Sequence, residues 1–403
     1  MSELLSWCRE NGIVTGPARG SVGGSRVAYI TDIIDLNPET WHTVFSRFAN
    51  EDRVEVGDID VDVIESDRPR IFEHIKARFG VDKTARVASF GTIADKGAID
   101  VIVGGLREAY KKQHQCGDND TPYTLKFADE IKNAYAEDPD KAKEKYKEVF
   151  YYFDGLLGCK VSQSVHPAGM VIAPITLADN YGVFDKEGDL CLFLDMDEAH
   201  HVGLVKYDFL VLKTVGMIKS ICANAGIPFP KSHEVNWNDQ KVWEDMTKDP
   251  VGIFQMESAF SFELLTKFKP KSIFDLSLVT AAVRPSGASY RDDLCAHKIH
   301  KNPSKEIDEI LKNNNGFLVY QEDVIKFLQQ ACGLTGSEAD NVRRGIAKKR
   351  MEILDKAMPK IVNGYCERSD KPREEAEQDL QQFLQVIKDA SDYMFGYNHS
   401  VAY

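Results

Sequence analysis

The stretch VEVGDIDVDVIESD, residues 54–67, carries the pattern that decides the fold. In a β-strand, alternation puts its aspartates on one face and its aliphatic residues on the other. The aspartates are Asp58, Asp60 and Asp62. Like charges repeated on one face repel each other, and oxygen ligands on a rigid strand suit Mg²⁺. The stretch therefore predicts a cation site, with a merely solvated strand face as the alternative.

A second stretch, GLVKYDFLVLK at residues 203–213, alternates in the same way. Lys206, Asp208 and Leu210 share one face of this predicted strand. A Lys–Asp salt bridge is the simpler interpretation of that face. If the two strands join one sheet, however, Asp208 completes a cage of three carboxylates with Asp58 and Asp60, able to hold two Mg²⁺ ions.

The glycine-rich segment GPARGSVGGS, residues 16–25, has the features of an anion-binding loop. Gly20, Gly23 and Gly24 let backbone amides approach a ligand closely, and Arg19 adds several donors. The segment matches neither the GxxxxGK[ST] nor the GxGxxG pattern, and a structural turn is the alternative. Arg47 lies shortly before the acidic strand, close enough in sequence to reach phosphates bound there.

Together these features indicate a reaction class. Paired metal ions support in-line displacement at phosphorus, because they stabilise both the attacking and the leaving oxygen. A loop suited to a triphosphate, with Arg47 and Lys206 as further cations, favours nucleotidyl transfer. Hydrolysis, including a metal-dependent nuclease, is the alternative reaction.

Composition limits the function classes. The chain has 403 residues, 43% of them hydrophobic, which predicts two to four globular domains. Its net charge of −13 argues against a nonspecific nucleic-acid binder. Its eight cysteines form no CxxC pair, which favours reduced thiols over structural zinc. The sequence shows neither a membrane span nor a signal peptide, so a cytoplasmic location without membrane contact is expected.

Local patterns predict a mixture of helices and strands. A helix is expected at residues 3–9, a short strand at Ile13-Val14, and a helix in VAYITDII at residues 27–34. An amphipathic helix over residues 68–80 should back the acidic strand. Residues 124–158 and most of the chain after residue 216 read as helical. Positive charge in this last region predicts a groove for phosphates, lined by Arg284, Arg343, Arg344, Lys348 and Lys349.

In order along the chain, these motifs resemble the bacterial C-family replicative DNA polymerases, the alpha subunit of DNA polymerase III and the related PolC. The motifs are GPARGSVGGS, SRFANEDR, GDIDVDV, FGTIADKGA, HPAGMVIAP, GLVKYDFL, GIFQMESAF, AAVRPSG, LVYQEDV, EADNVRRGIAKKR and YMFGYNHSVAY. The resemblance implies an α+β multidomain fold, with a polymerase-β-like nucleotidyltransferase palm at 1–88 and 165–213. A helical thumb would occupy 89–164, and incomplete helical fingers 214–403.

The resemblance also assigns roles residue by residue. It makes Asp58, Asp60 and Asp208 the catalytic metal ligands, and ranks Asp62 below them because some family members have Asn at that position. Gly20 and Ser21 fall on the triphosphate-holding turn, with Arg47 and Lys206 beside the phosphates. The expected nucleotide-binding residues are Arg19, Gly20, Ser21, Arg47, Lys206, Arg343, Arg344 and His399.

By this resemblance the chain is a DNA-directed DNA polymerase of replication. A primer 3′-hydroxyl would attack the α-phosphate of a dNTP, with two Mg²⁺ ions as cofactors and primer–template DNA as partner. The location would be the bacterial cytoplasm, or that of a bacterial host if the polymerase is viral. The family's clamp-binding regions are expected outside this chain. The alternative is a noncatalytic or split fragment that binds primer–template and needs a separate polypeptide carrying the rest of the polymerase.

Overall fold

The computed structural model describes residues 1–50, 59–117, 120–390 and 394–403. Within these ranges the strands are β1 Asp60–Val63, β2 Thr84–Thr92, β3 Lys160–Ile172, β4 Val183–Lys186, β5 Asp189–Leu192 and β6 Val205–Val211. The helices are α1 Ser2–Glu10, α2 Arg26–Ile30, α3 Arg68–Phe79, α4 Asp95–His114, α5 Leu125–Glu137, α6 Pro139–Lys145, α7 Lys147–Phe150, α8 Phe153–Leu156, α9 Met196–His201, α10 Lys213–Ala225, α11 Gln240–Met246, α12 Ala259–Phe268, α13 Ile273–Ala282, α14 Arg291–Cys295, α15 Lys305–Ile310, α16 Gln321–Gln330, α17 Gly336–Ala347, α18 Met351–Arg368, α19 Arg373–Ala390 and α20 Tyr397–Ala402. This mixture agrees with the predicted α+β class. Of the helices described, none is long and apolar enough to cross a bilayer.

The chain divides into two compact units. The first unit joins Met1–Arg78 to Tyr207–Tyr403, and the second unit is Phe79–Lys206. Residues within each unit contact one another more than they contact the other unit, and this grouping does not assign a function to either unit. The division into palm, thumb and fingers therefore stays a prediction.

In the first unit, β1 and β6 run parallel, with Val61 paired to Phe209. Both residues are buried, so this face of the strand pair belongs to the core. Phe209 meets Phe72 of α3 edge-on, with 6.0 Å between ring centroids. The amphipathic helix predicted over residues 68–80 is confirmed as α3, and through Phe209 it packs behind the strand pair that includes the acidic strand.

Two buried apolar clusters hold many of the helices described in the first unit. One cluster joins N-terminal residues such as Val22 to α12, α13, α14 and α20. The other connects α15 to α19 in order, through Ile307, Phe327, Val342, Ile361 and Phe383. The prediction that this part of the chain is mainly helical is confirmed.

The second unit contains four strands in the order β3-β2-β5-β4. Strand β2 pairs with β3 antiparallel and with β5 parallel, and β4 pairs with β5 antiparallel. Its helices α4, α5, α7 and α8 share a core that includes Ile99, Ile131 and Phe153. The helical region predicted at residues 124–158 is confirmed by α5, α6, α7 and α8.

Two local predictions were wrong near the N-terminus. No strand forms at Ile13-Val14, because the Ile13 N–H donates back to the Cys8 carbonyl at 2.8 Å and closes α1 in a turn. Thr15 forms an isolated bridge to β1 opposite Val63, and the Gly16 N–H donates to the Asp62 carbonyl at 2.9 Å. The helix expected over residues 27–34 is the short α2, which ends before Asp32, a residue with φ of 54°.

We predict that Phe209→Ala lowers the free energy of unfolding by about 3–5 kcal/mol, because it opens a cavity behind the strand pair. Tyr151→Ala is the control: Tyr151 is 81% exposed, so its loss should cost less than about 0.5 kcal/mol. Urea denaturation of both variants measures the difference. Equal stability of the two variants would contradict a tightly packed core at Phe209.

Candidate active site

Two aspartates stand side by side on neighbouring parallel strands. Asp60 of β1 and Asp208 of β6 are partners in the strand register. Partners in register project from the same face of a sheet, on strands about 5 Å apart. Both residues are half-buried. The structure thus brings together two members of the predicted cage, whereas Asp58 lies outside the described residues.

This pair of carboxylates fits Mg²⁺ chemically. Magnesium favours one or two carboxylates, with water and phosphate oxygens completing the octahedron. In the described ranges, which omit Asp58, no group of three or more His, Cys, Asp or Glu is arranged to hold a metal ion. The register pairs two carboxylates, Asp60 and Asp208, and two is within the number that Mg²⁺ takes from a protein.

Asp62 lies two residues after Asp60, on the same face of β1, and is 2% exposed. Arg19 donates from Nη1 to Asp62 Oδ1 at 2.7 Å, and the Tyr403 hydroxyl donates to Asp62 Oδ2 at 2.9 Å. Arg19 also donates to the Tyr403 hydroxyl oxygen. Burial and then the Asp62 charge raise the pKa of Tyr403, and the Asp60 charge adds to this rise. Arg19, Asp62 and Tyr403 thus form one partly buried network beside the carboxylate pair.

The glycine-rich segment forms a 3-10 turn over Gly20–Gly24. It is fastened by α20: Asn398 Nδ2 donates to the Ser21 carbonyl at 3.3 Å. Asn398 also bonds both backbone groups of Val44, accepting from its N–H at 3.0 Å and donating to its carbonyl at 3.0 Å. A Cβ on Gly24 would lie 2.5 Å from the Val44 carbonyl oxygen. Only glycine fits this close approach of the two backbones.

His399 holds the start of that turn. The Gly20 N–H donates to His399 Nδ1 at 3.1 Å, so in the neutral ring the proton is on Nε2. Burial, followed by the charges of Arg19 and Arg284, lowers the pKa of His399 to about 4. The imidazole is therefore neutral at pH 7, and it acts as an acceptor for the turn.

Two predicted nucleotide-binding arginines meet at one side chain. Arg47 donates from Nε to Gln321 Oε1 at 3.1 Å, and Arg343 donates from Nη1 to the same oxygen at 3.0 Å. Asp340, 0% exposed, accepts from Arg343 Nε at 2.9 Å and pairs with Arg344 Nε at 3.6 Å. These contacts gather Arg47, Arg343 and Arg344 into one cationic cluster.

The other predicted residues take different positions. The Arg284 guanidinium lies 4.7 Å from the centroid of the Phe395 ring and donates to Gln255 Oε1 at 3.3 Å. Lys348 and Lys349 are exposed just beyond the end of α17. Lys206 donates from Nζ to the Met196 sulfur at 3.0 Å. The roles assigned to these residues stay predictions.

Sequence reasoning gave no role to four residues that hold this region together. They are Gln321, Asp340, Asn398 and Tyr403. Each lies in a motif quoted above, and Asp340 and Asn398 are polar side chains that are 0% and 1% exposed. Buried polar groups need partners, but here those partners come from distant parts of the sequence. The motifs therefore contain these four residues, but the sequence alone does not show which residues they contact.

Comparison with known proteins gives consistent matches along the chain. Residues 1–211 match the family described as the bacterial DNA polymerase III alpha NTPase domain, and residues 212–369 match the bacterial DNA polymerase III alpha subunit finger domain. All of the chain aligns with the DNA polymerase III subunit alpha of Aquifex aeolicus at 30% identity and of Bacillus subtilis at 29%. The chain spans 37% and 36% of the length of those relatives.

We predict that Gly24→Ala lowers the free energy of unfolding by about 1–3 kcal/mol, because its Cβ would collide with the Val44 carbonyl. Gly105→Ala in α4 is the control, since nothing lies within 4 Å of that Cβ. The control should gain up to about 1 kcal/mol through helix propensity. Urea denaturation measures the free energy of unfolding of both variants. A Gly24→Ala protein as stable as the wild type would show that the two backbones do not approach this closely.

We predict that NMR titration of labelled histidines gives His399 a pKa of about 4, with its signal assigned by its loss in His399→Asn. Asparagine keeps an acceptor for Gly20 but does not titrate in this range. The folded pKa is below the unfolded value, so the contribution of His399 to stability is present above pH 6.5 and lost as the pH falls toward 4.

From pH 7 to pH 5, the wild type should therefore lose about 2 kcal/mol more stability than His399→Asn. A His399 pKa near 6.5, or equal losses in both proteins, would contradict the buried neutral imidazole.

Proposed function

The chain belongs to the bacterial DNA polymerase III alpha family, and on that premise we propose that it forms the nucleotidyl-transfer core of a DNA-directed DNA polymerase. It would add dNMP from a dNTP to a primer 3′-hydroxyl under the direction of a template. The observation that carries this proposal is the parallel register that pairs Asp60 with Asp208. The full alignment with polymerase alpha subunits supports it.

In this proposal Asp60 and Asp208 hold Mg²⁺, and Asp58 is the third ligand of a two-ion site. When bound, the paired ions supply charge stabilisation to the attacking and leaving oxygens of an in-line displacement. The chain's own contribution is to fix the carboxylates. Pairing of β1 with β6 sets their spacing, and the buried Val61 and Phe209 behind them keep both side chains on the opposite, half-buried face.

The cations and the glycine-rich turn would bind the triphosphate. Gly20 and Ser21 would supply the turn, and Arg19 connects that turn to the acidic strand through Asp62. Arg47, Arg343, Arg344, His399 and Lys206 are the further nucleotide-binding residues of the proposal. Guanidinium groups suit this task, because their planar donors match phosphate oxygens two at a time.

Arg284, Lys348 and Lys349 would contact the DNA backbone. Contacts to phosphates are independent of base sequence and weaken as salt concentration rises. The sequence of the product would then be set by base pairing with the template. We further propose a palm at 1–88 and 165–213, a thumb at 89–164 and fingers from 214 onward.

A second candidate function follows from coverage, because the chain matches only part of each relative's length. Since it aligns with 37% of the Aquifex relative, it can instead be a piece that binds primer–template and needs a separate polypeptide for activity. Such a piece would show no extension by itself and would gain activity when the missing part is added.

We predict that the chain extends a labelled primer on a template with Mg²⁺ and dNTPs, and that Asp60→Asn and Asp208→Asn each lower the rate about 10³-fold or more. Each change removes a charged metal ligand and with it several kcal/mol of transition-state stabilisation. Asp140→Asn, on the exposed surface of α6, is the matched control and should extend at the wild-type rate.

Extension that survives Asp60→Asn or Asp208→Asn would contradict the proposed site. An inactive wild-type chain that gains activity with an added C-terminal fragment of a relative would favour the second candidate. Degradation of unprimed DNA without any need for dNTPs would instead point to a nuclease.

A further inference from the structure

Two arginines from distant segments share one neutral acceptor. Arg47 closes the 3-10 turn Phe45–Arg47, and Arg343 lies in the middle of α17. Their donors reach Gln321 Oε1 at 3.1 Å and 3.0 Å. Two guanidinium groups at this spacing repel each other. An acceptor between them relieves part of that repulsion.

The Gln321 side chain is itself fixed. Its Nε2 donates to the Met394 carbonyl at 2.9 Å, and its backbone N–H donates to the Phe395 carbonyl at 2.9 Å. A carbonyl accepts only from the amide nitrogen, so this bond turns Oε1 toward the arginines. Gln321 is also the first residue of α16, which anchors its backbone.

Arg343 has a second anchor in Asp340. Asp340 Oδ1 accepts from Arg343 Nε at 2.9 Å and Nη2 at 2.8 Å, which leaves Nη1 for Gln321. Asp340 is 0% exposed and Arg343 is 8% exposed. Arg343 is thus held from two sides, and the shared Gln321 oxygen joins Arg47 to it.

The charge of the acceptor matters more than its shape. A carboxylate at this position would accept the same two bonds but would cancel part of the charge that a phosphate needs. An amide orders the two cations without adding a second negative charge to that of Asp340. Less side-chain order then has to be gained when an anion binds. Glutamine accepts both bonds and adds no charge, whereas glutamate accepts both bonds but adds a negative charge.

We infer that Gln321 is a positioning residue that sets Arg47 and Arg343 as a pair for the polyphosphate chain of a nucleoside triphosphate. The inference rests on the proposed function, because it takes that triphosphate as the ligand. It adds a specific requirement, that the acceptor between the two arginines be neutral.

Binding of inorganic tripolyphosphate, measured by calorimetry without DNA, tests the inference. Three variants are compared with the wild type. Gln321→Leu removes the acceptor, Gln321→Glu keeps the acceptor but adds a charge, and Gln381→Glu adds the same charge on the exposed surface of α19. Thermal unfolding of each variant reports whether the fold is kept.

Both Gln321 variants should raise the dissociation constant about 10-fold or more, and Gln381→Glu should raise it less than about 2-fold. Gln321→Glu loses the bond from Nε2 to the Met394 carbonyl but pairs its charge with both arginines, so it should melt close to the wild-type temperature. A purely structural role would instead leave Gln321→Glu binding as tightly as the wild type.

Wild-type affinity in Gln321→Glu would overturn this inference and leave the proposed function standing. A wild-type chain that fails to bind tripolyphosphate would overturn the proposed triphosphate site, and this inference with it. If Gln321→Glu and Gln381→Glu weaken tripolyphosphate binding equally, the loss of affinity comes from net charge alone. That result would also overturn the inference.

Discussion

The parallel pairing of β1 with β6 is the constraint on which the rest of the site depends. Register places Asp60 beside Asp208 on one face and Val61 beside Phe209 on the other. A slip of one residue would turn the carboxylates into the core and the aromatic ring into solvent. Burial of Phe209 against Phe72 therefore fixes the register. Hydrophobic packing behind the strands thus determines where the acidic groups stand.

The second organising feature is the attachment of the segment around α20 to the N-terminal part of the chain. Tyr403 bonds Asp62, His399 accepts from Gly20, and Asn398 bonds Val44. These pairs are separated by more than 300 residues of sequence, and they bring the glycine-rich turn next to the acidic strand. Gln321 adds a further attachment by joining Arg47 to Arg343. The proposed phosphate site is therefore assembled from several remote segments.

Local patterns predicted much of this arrangement. Alternation alone identified which residues of β1 and β6 share a face, and helical spacing identified α3. The pairing of the two strands followed only if they joined one sheet, which periodicity does not determine. The Arg19–Asp62 ion pair and the shared acceptor Gln321 were missed, because their partners are distant in sequence. At Ile13 a backbone bond to Cys8 replaced the expected strand, which shows how one turn overrides a β-favouring pair of residues.

The central claim is that the carboxylates of Asp60 and Asp208 share a divalent ion. Anomalous diffraction from crystals soaked in Mn²⁺, a substitute for Mg²⁺ that scatters strongly, tests it most directly. The account predicts an anomalous peak at coordination distance, about 2.1 Å, from oxygens of both residues. An anomalous peak only elsewhere, or Asp208 turned to the opposite face from Asp60, would contradict it.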